Sequence, residues 1–287
     1  MARAMQTAST RRKVVDKAML VAMVAALVLS AVPLVSILIE VIIKGLHAIH
    51  GVSFFTQPPP GDPTSTAGGV GNAIIGTVLM VLLASVVFIP LGILGAVYLA
   101  EFAPGTRLAR LVRFFAEVMT GIPSILFGVF AYGLVVVYVH HYSGLAGALA
   151  LGMIMWPIVL RTTEEMLLRV PSGIREASLA LGTPKWKTVL KVVLPSAGAG
   201  ITTGAMLAVS RAAGETAPLL FTALDWQFMS FKITQPISSL PVAIFSGATS
   251  AYDPQVARAW GAALTLLAFV LILTLAARFV TARRSVT

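Results

Sequence analysis

The chain has 287 residues, of which 57% are hydrophobic and only 11% are charged. Soluble domains carry about 25% charged residues, so this composition excludes an ordinary water-soluble protein and predicts an integral membrane protein. The absence of cysteine excludes disulfide bonds, thiolate metal sites and a cysteine nucleophile. The net charge of +10 does not predict binding to nucleic acid, because the basic residues cluster in tails and in loops between apolar stretches.

Six apolar stretches are long enough to cross a bilayer, since a membrane helix needs about 20 predominantly apolar residues. We therefore predict an all-α integral membrane protein with six transmembrane helices. The first stretch exceeds the roughly 7–15 apolar residues of a signal peptide, so we expect a retained anchor helix. The six helices are predicted at 18–43, 71–99, 114–138, 145–168, 196–223 and 256–279.

The positions of lysine and arginine predict the orientation of the chain. Sixteen of them lie in the N-terminal tail, in the segments 101–113 and 169–195 and from Arg278 to the C-terminus, against three on the other side, which are Lys44, Lys232 and Arg258. Cytoplasmic segments carry the excess of basic residues, so both termini are predicted to be cytoplasmic. The predicted units are an N-terminal tail at 1–17, a first helix with a periplasmic loop at 18–70, a transmembrane domain at 71–279 and a C-terminal tail at 280–287.

The two outer segments differ in character. The segment 44–70 contains Pro-Pro-Pro-Gly-Asp-Pro at 58–63, which predicts extended or turned structure. The segment 224–255 contains Ser-Ser-Leu-Pro at 238–241, which is compatible with a short re-entrant piece. His47 and His50 have a spacing of three residues, but no carboxylate lies close by, so no metal site is predicted.

The inner loop 171–195 is predicted to form two short helices. Ser172 can cap the first, which runs to about Leu181, and Gly182 suits the left-handed residue that ends a helix. Pro184 at the first helical position then begins a second helix, which runs to Leu194. The two short helices are predicted to share an apolar side, formed by Leu179, Leu181, Val189 and Val192. Because no membrane covers this side in the cytoplasm, we expect it to contact a protein partner.

The same loop carries a recognisable motif. Glu176-Ala177-Ser178, followed by Gly182 and later by Leu194-Pro195, resembles the EAA loop of the ABC importer permeases. The chain departs from that pattern only at Ser178 and Val192. The resemblance implies the type I ABC importer permease fold, in which this loop is the coupling helix that docks into a groove of the ATP-binding subunit. An ordinary helical hairpin between two spans is the alternative.

Two ionisable residues, Arg211 and Glu215, lie inside the fifth predicted helix, four residues apart and therefore on one face. Charges at membrane depth are costly and mark functional sites by default. Arg211 is about 15 residues, or roughly 22 Å, from the predicted inner end, which places it past the middle of the bilayer. The pair is either a structural salt bridge or an anion site. In the second case Arg211 binds phosphate and Glu215 accepts a hydrogen bond from a protonated phosphate oxygen, which sulfate cannot donate.

Three further residues belong to the predicted substrate path. Ser210 and Thr216 flank the charged pair. Arg161 lies about seven residues, or roughly 10 Å, from the inner end of the fourth helix, where its side chain can reach the interface. Glu164 and Glu165 are at pairing distance from it along the helix. Transport and interfacial pairing therefore stay open as roles of Arg161.

Four segments together resemble the phosphate-specific permease family PstA. They are RAAGETAPLLFTA at 211–223, GIPSILFG at 121–128, the beginning of the second helix at 68–77, and RTTEE at 161–165. The resemblance covers about residues 65–280 and implicates the positions of Arg211 and Arg161 in transport. It implies a permease subunit of an ATP-driven bacterial phosphate importer in the inner membrane. Independently of it, Gly-Ile-Pro-Ser at 121–124 predicts a kinked and closely packed helix.

The chain lacks a G-x-x-x-x-G-K-[ST] loop, so ATP hydrolysis is expected on another polypeptide. The chain itself is then no enzyme and holds no cofactor, because ATP and Mg²⁺ bind the partner ATPase. The resemblance implies a PstC-like second permease, two PstB-like ATP-binding subunits and a periplasmic or lipid-anchored PstS-like phosphate-binding protein. The alternatives are a permease for another oxyanion, such as sulfate or molybdate, and a secondary anion transporter.

Overall fold

A computed structural model describes residues 10–284, and every regular element within this range is helical. Three π-helical segments extend α-helices: Tyr98–Phe102 continues the helix Gly71–Val97, Tyr132–Val136 continues Ser124–Ala131, and Val189–Val193 joins Lys185–Thr188 to Leu194–Ala213. We label the helices α1 (Thr10–Ala48), α2 (Gly71–Val97), α3 (Arg107–Gly121), α4 (Ser124–Ala131), α5 (Gly144–Leu168), α6 (Ser172–Ala180), α7 (Lys185–Thr188), α8 (Leu194–Ala213), α9 (Leu240–Ala248) and α10 (Asp253–Arg284).

The predicted all-α membrane architecture is confirmed. Within the described residues, five helical stretches are long and apolar enough to cross a membrane, and α3 with α4 makes a sixth if this bent pair is one span. α1 packs against α10, and its apolar side chains are otherwise exposed, as expected for a helix that faces lipid. The five stretches are Arg12–Ala48, Gly71–Phe102, Gly144–Leu168, Lys185–Ala213 and Asp253–Ala276.

The prediction of one continuous helix at 114–138 is wrong. The chain breaks between α3 and α4, and the two helices bend by 107°. Ile122 and Pro123 both have ψ near 133°, outside the helical range. A residue before proline is pushed away from the helical region by the proline ring, so the break follows from Pro123. The helix before the break, α3, begins at Arg107 and so starts earlier than the predicted residue 114.

The fifth predicted helix, 196–223, is also corrected. α7, the π-helical segment and α8 form one continuous helical stretch, Lys185–Ala213, so the second predicted loop helix is the beginning of the span. The π-helical turn comes directly before Pro195, which has no N–H to offer a regular helix, and this wide turn lets the helix continue past it. The helix ends at Ala213 because Gly214 and Pro218 follow.

The centre of the bundle is formed by α2, α5 and α8. Small residues let these helices approach closely, which is the usual packing mode where lipid removes the hydrophobic driving force. A Cβ added to Gly204 of α8 would lie 2.7 Å from Cβ of Thr162 of α5. The fully buried residues of this centre include Met80, Leu151, Met155, Ala208 and Leu219.

The outer segments pack onto this centre. Residues 57–70 contain no regular structure, as the prolines predict. The proposed re-entrant piece is α9, whose first turn is capped by Ser239 and buried at Leu240. The Leu240 N–H donates to Thr77 Oγ1 at 2.8 Å, so the beginning of α2 holds α9 in place. Residues 1–9 and 285–287 of the two predicted tails lie outside the described residues.

Candidate functional site

Arg211 lies in the last turn of α8, and its side chain is 53% exposed in this chain. Glu215 follows the end of the helix and is 16% exposed, with Oε1 3.5 Å from Arg211 Nε. The structure therefore brings the predicted pair together, although the helix has already ended. The pair lies at a helix end and not well inside the span, because the helix starts and stops earlier than the sequence predicted.

A second motif meets this pair. Arg211 lines a small pocket together with Ile122 and Ser124, at the break between α3 and α4. The first turn of α4 carries unpaired N–H groups and the positive end of the helix dipole, which favour an anion. Gly128 of α4 packs against Pro218, since an added Cβ would lie 2.5 Å from Pro218 Cα. The kink predicted at 121–124 is thus confirmed, whereas the close packing lies at Gly128, because a Cβ added to Gly121 would meet no atom within 4 Å.

Ser210 and Thr216 do not line the Arg211 pocket. The Ser210 hydroxyl lies 3.3 Å from Thr274 Oγ1, so it connects α8 to α10. Thr216 is half-buried at the start of the short helix Ala217–Leu220, and its carbonyl accepts hydrogen bonds from the N–H groups of that helix. Both residues therefore serve local structure in this chain, and their predicted contact with substrate stays a prediction.

Arg161 has a different partner from the two predicted ones. Its Nη2 lies 2.7 Å from Oε1 of Glu117 on α3, and both side chains are partly exposed. Glu164 pairs instead with Arg113 of α3, with Nε 2.6 Å from Oε1. α3 thus supplies the partners of both α5 residues, and these are contacts between two helices that the sequence could not show. Arg161 lies seven residues before the end of α5 and does not line the Arg211 pocket.

The EAA-like loop has the predicted turn but a different apolar side. Gly182 has φ +76°, which confirms the left-handed helix end. Ser172 makes no capping hydrogen bond, because Pro171 occupies the cap position. Val189 is buried against the rest of the chain and Val192 is half-buried, so neither belongs to a free face as predicted. The exposed large apolar residues of the loop are Ile174, Leu179, Leu181, Trp186 and Leu190.

The remaining residues of the motif occupy distinct positions. Glu176 and Ala177 are exposed on α6, whereas the Ser178 hydroxyl lies 2.9 Å from Thr188 Oγ1 and closes the hairpin. Leu194 is half-buried and Pro195 is exposed. Sequence reasoning missed the buried Glu101, whose partner is Arg175 of α6. The signal that could have found it is a single carboxylate at the end of the apolar run 71–100.

Comparison with known proteins identifies the family to which the chain belongs. A family model described as "Binding-protein-dependent transport system inner membrane component" matches residues 88–286. The chain belongs to this family. Members of the family found at high similarity include the phosphate transport system permease protein PstA of Yersinia pestis, 43% identical over 251 residues, which are 88% of this chain and 84% of the relative.

Two other relatives carry the same description. PstA of Pasteurella multocida is 41% identical over 93% of this chain and 94% of its own. PstA of Xylella fastidiosa is 45% identical over 85% of this chain and 84% of its own. Among solved structures, an inward-facing MetNI methionine ABC transporter chain matches with a TM-score of 0.60 and 21% identity over 75% of this chain and 94% of that chain. This likeness confirms the predicted permease fold.

Proposed function

We propose that the chain is a transmembrane permease subunit of an ATP-driven bacterial importer of inorganic phosphate and forms half of the translocation path. The observation that carries this proposal is the sequence identity of 41–45%, over most of both chains, to relatives described as phosphate transport system permease proteins. A sulfate or molybdate permease and a secondary anion transporter have no comparable support. A secondary transporter would also have no use for the EAA-like loop.

The chemistry of the Arg211 site fits phosphate. Arg211 offers a planar fork that matches two phosphate oxygens, and the exposed half of its side chain is free to meet a ligand or a second subunit. Glu215 beside it can accept a hydrogen bond from the P–OH group that phosphate carries near neutral pH and that sulfate lacks. Arg161, held by Glu117 nearer the inner end of α5, suits a separate and later stage of the path.

The loop around Gly182 fits docking to an ATPase. In this proposal Glu176, Ala177, Ser178 and Gly182 shape the coupling helix, and Leu194-Pro195 leads it into the span. Leu181 is 86% exposed, and Leu179 and Trp186 of the same loop are also exposed in this chain. Apolar side chains grouped in this way are typical of a protein–protein contact. A groove of an ATP-binding subunit would bury them.

The complex requires several partners. We propose a PstC-like second permease, two PstB-like subunits that bind ATP and Mg²⁺, and a periplasmic or lipid-anchored PstS-like protein that docks on the segments 44–70 and 224–255. The chain would lie in the inner membrane with both termini in the cytoplasm. No cofactor of its own is needed for this role.

Affinity purification of the tagged chain from its native membrane tests the assembly. We expect a second permease and an ATP-binding subunit to co-purify in mild detergent, with two copies of the ATPase for each copy of this chain. Mass spectrometry identifies the subunits and native mass measurement gives their numbers. Isolation of the chain as a stable oligomer of itself, with no ATPase, would contradict the proposed function.

A further inference from the structure

Two carboxylates are buried near one end of the bundle, and each is paired with an arginine. Glu101 lies in the π-helical segment that continues α2, and its side chain is 7% exposed. Glu164 lies in the last turns of α5, and its side chain is 5% exposed. A buried charge is tolerated only when it is paired and hydrogen-bonded, so each carboxylate holds its arginine firmly.

Arg175 of α6 joins three parts of the chain. Its Nε and Nη2 donate to Glu101 Oε1 at 3.0 and 2.7 Å. Its Nη2 also donates to the carbonyl of Leu167 at 2.7 Å, and its Nη1 donates to the carbonyl of Val170. The guanidinium is rigid and planar, so these bonds fix orientation as well as distance. α6, the end of α2 and the end of α5 are thereby held as one unit.

Two more cationic side chains reach the same π-helical segment, Tyr98–Phe102. The Lys185 ammonium of α7 lies 5.3 Å from the centre of the Phe102 ring. Arg113 of α3 donates from Nη2 to the carbonyl of Leu99 at 3.3 Å, while its Nε bonds to Glu164. Helices α3, α6 and α7 therefore all contact this segment. π-helical turns inside longer helices occur frequently at functional positions.

The attachment of α6 to the membrane domain is polar. None of its residues, Ser172–Ala180, is buried in the part of the chain that the structure describes. Its large apolar side chains, Ile174 and Leu179, are 41% and 46% exposed, so neither belongs to the buried core. The side-chain hydrogen bonds that connect α6 to the rest of the described chain are those of Arg175 and the contact between Ser178 and Thr188. Arg175 is thus the side chain through which α6 holds α2 and α5.

We propose that Glu101 and Arg175 are positioning residues that transmit movement of the EAA-like loop to helices α2 and α5. The proposal rests on the proposed coupling of this loop to an ATPase. When ATP binding displaces the docked loop, the Glu101–Arg175 link makes the inner ends of α2 and α5 follow it. Without the link, the loop could move with the ATPase while the membrane helices stay in place, and ATP would be hydrolysed without transport.

A double substitution separates transmission from simple stabilisation. Arg175→Leu alone leaves Glu101 buried without a partner and should lower the thermal stability of the complex. Arg175→Leu/Glu101→Leu removes both charges, and well-packed apolar side chains replace buried ion pairs at little or no cost in stability. We therefore expect the double variant to assemble with near-normal thermal stability but to move at least about fivefold less phosphate per ATP hydrolysed.

The experiment uses the reconstituted complex and measures phosphate uptake and ATP hydrolysis in the same vesicles. Arg175→Lys, which retains the charge but loses the fork, should give an intermediate ratio of phosphate to ATP and tests the link if the double variant does not assemble. Arg169→Leu replaces an exposed arginine two residues before this loop and should match the unaltered complex. A normal ratio in the double variant, or in Arg175→Lys if only that variant assembles, would overturn the link. Absence of ATP-dependent uptake by the unaltered complex would overturn the proposed function itself.

Discussion

Replacing Arg211 with glutamine should abolish most phosphate uptake while the complex still assembles. The substitution keeps a polar side chain of similar size but removes the charge that faces the incoming anion. A charge-assisted hydrogen bond is worth about 1.5–3 kcal/mol, so uptake should fall about 10- to 100-fold. Arg211→Lys should recover only part of this loss, because lysine keeps the charge without the two-pronged geometry. Uptake of radiolabelled phosphate at matched protein levels measures the effect.

The double variant Arg211→Gln/Glu215→Gln distinguishes an anion site from a structural salt bridge. If the pair, 3.5 Å apart, only stabilises the end of α8, removing both charges leaves no unpaired carboxylate and should restore most of the uptake. If Arg211 binds the anion, the double variant should remain inactive. Near-normal uptake by the double variant would contradict the anion site.

Replacing Leu181 with aspartate should disconnect the ATPase from the membrane domain. Leu181 is 86% exposed, so the change should alter the stability of the isolated chain by no more than about 0.5 kcal/mol. In the complex it would place a carboxylate in an apolar contact, which costs several kcal/mol where no cation pairs with it. We expect the ATP-binding subunits to be lost on purification, together with transport.

Pro104→Asp is the matched control for this change. Pro104 is an exposed residue of the loop between the end of α2 and α3, on the same predicted cytoplasmic side, and it lies outside the EAA-like loop. This variant should retain the ATPase and normal uptake. Full retention of the ATPase by Leu181→Asp would show that the exposed apolar residues are not the docking surface.

Those parts of the fold that depend on local pattern could be predicted from the sequence. The apolar stretches located the spans, and Gly182 located the left-handed turn, because few other residues adopt positive φ without strain. The Arg211–Glu215 pair was also predictable, since four residues separate two rare charges in an apolar context. In each case the decisive interaction lies within a few residues along the chain.

Contacts between distant parts of the chain could not be predicted in the same way. The partner of Arg161 is Glu117, and pairing along its own helix was the only geometry that the sequence offered. The bend at Pro123 sets where α3 lies, and a proline inside an apolar run gives no direction for such a bend, because membrane helices also tolerate proline. The Glu101–Arg175 link, whose members are 74 positions apart along the chain, depends on that same arrangement.

The measurement that tests the central claim most directly is transport by the complete complex in proteoliposomes. With the second permease, the ATPase and the phosphate-binding protein present, radiolabelled phosphate should accumulate only when ATP is supplied on the ATPase side. An excess of sulfate should not reduce the rate, because sulfate has no O–H group to donate a hydrogen bond to Glu215. Uptake by this chain alone, uptake driven by a proton gradient without ATP, or equal uptake of sulfate would contradict the assignment of the chain as half of an ATP-driven phosphate path.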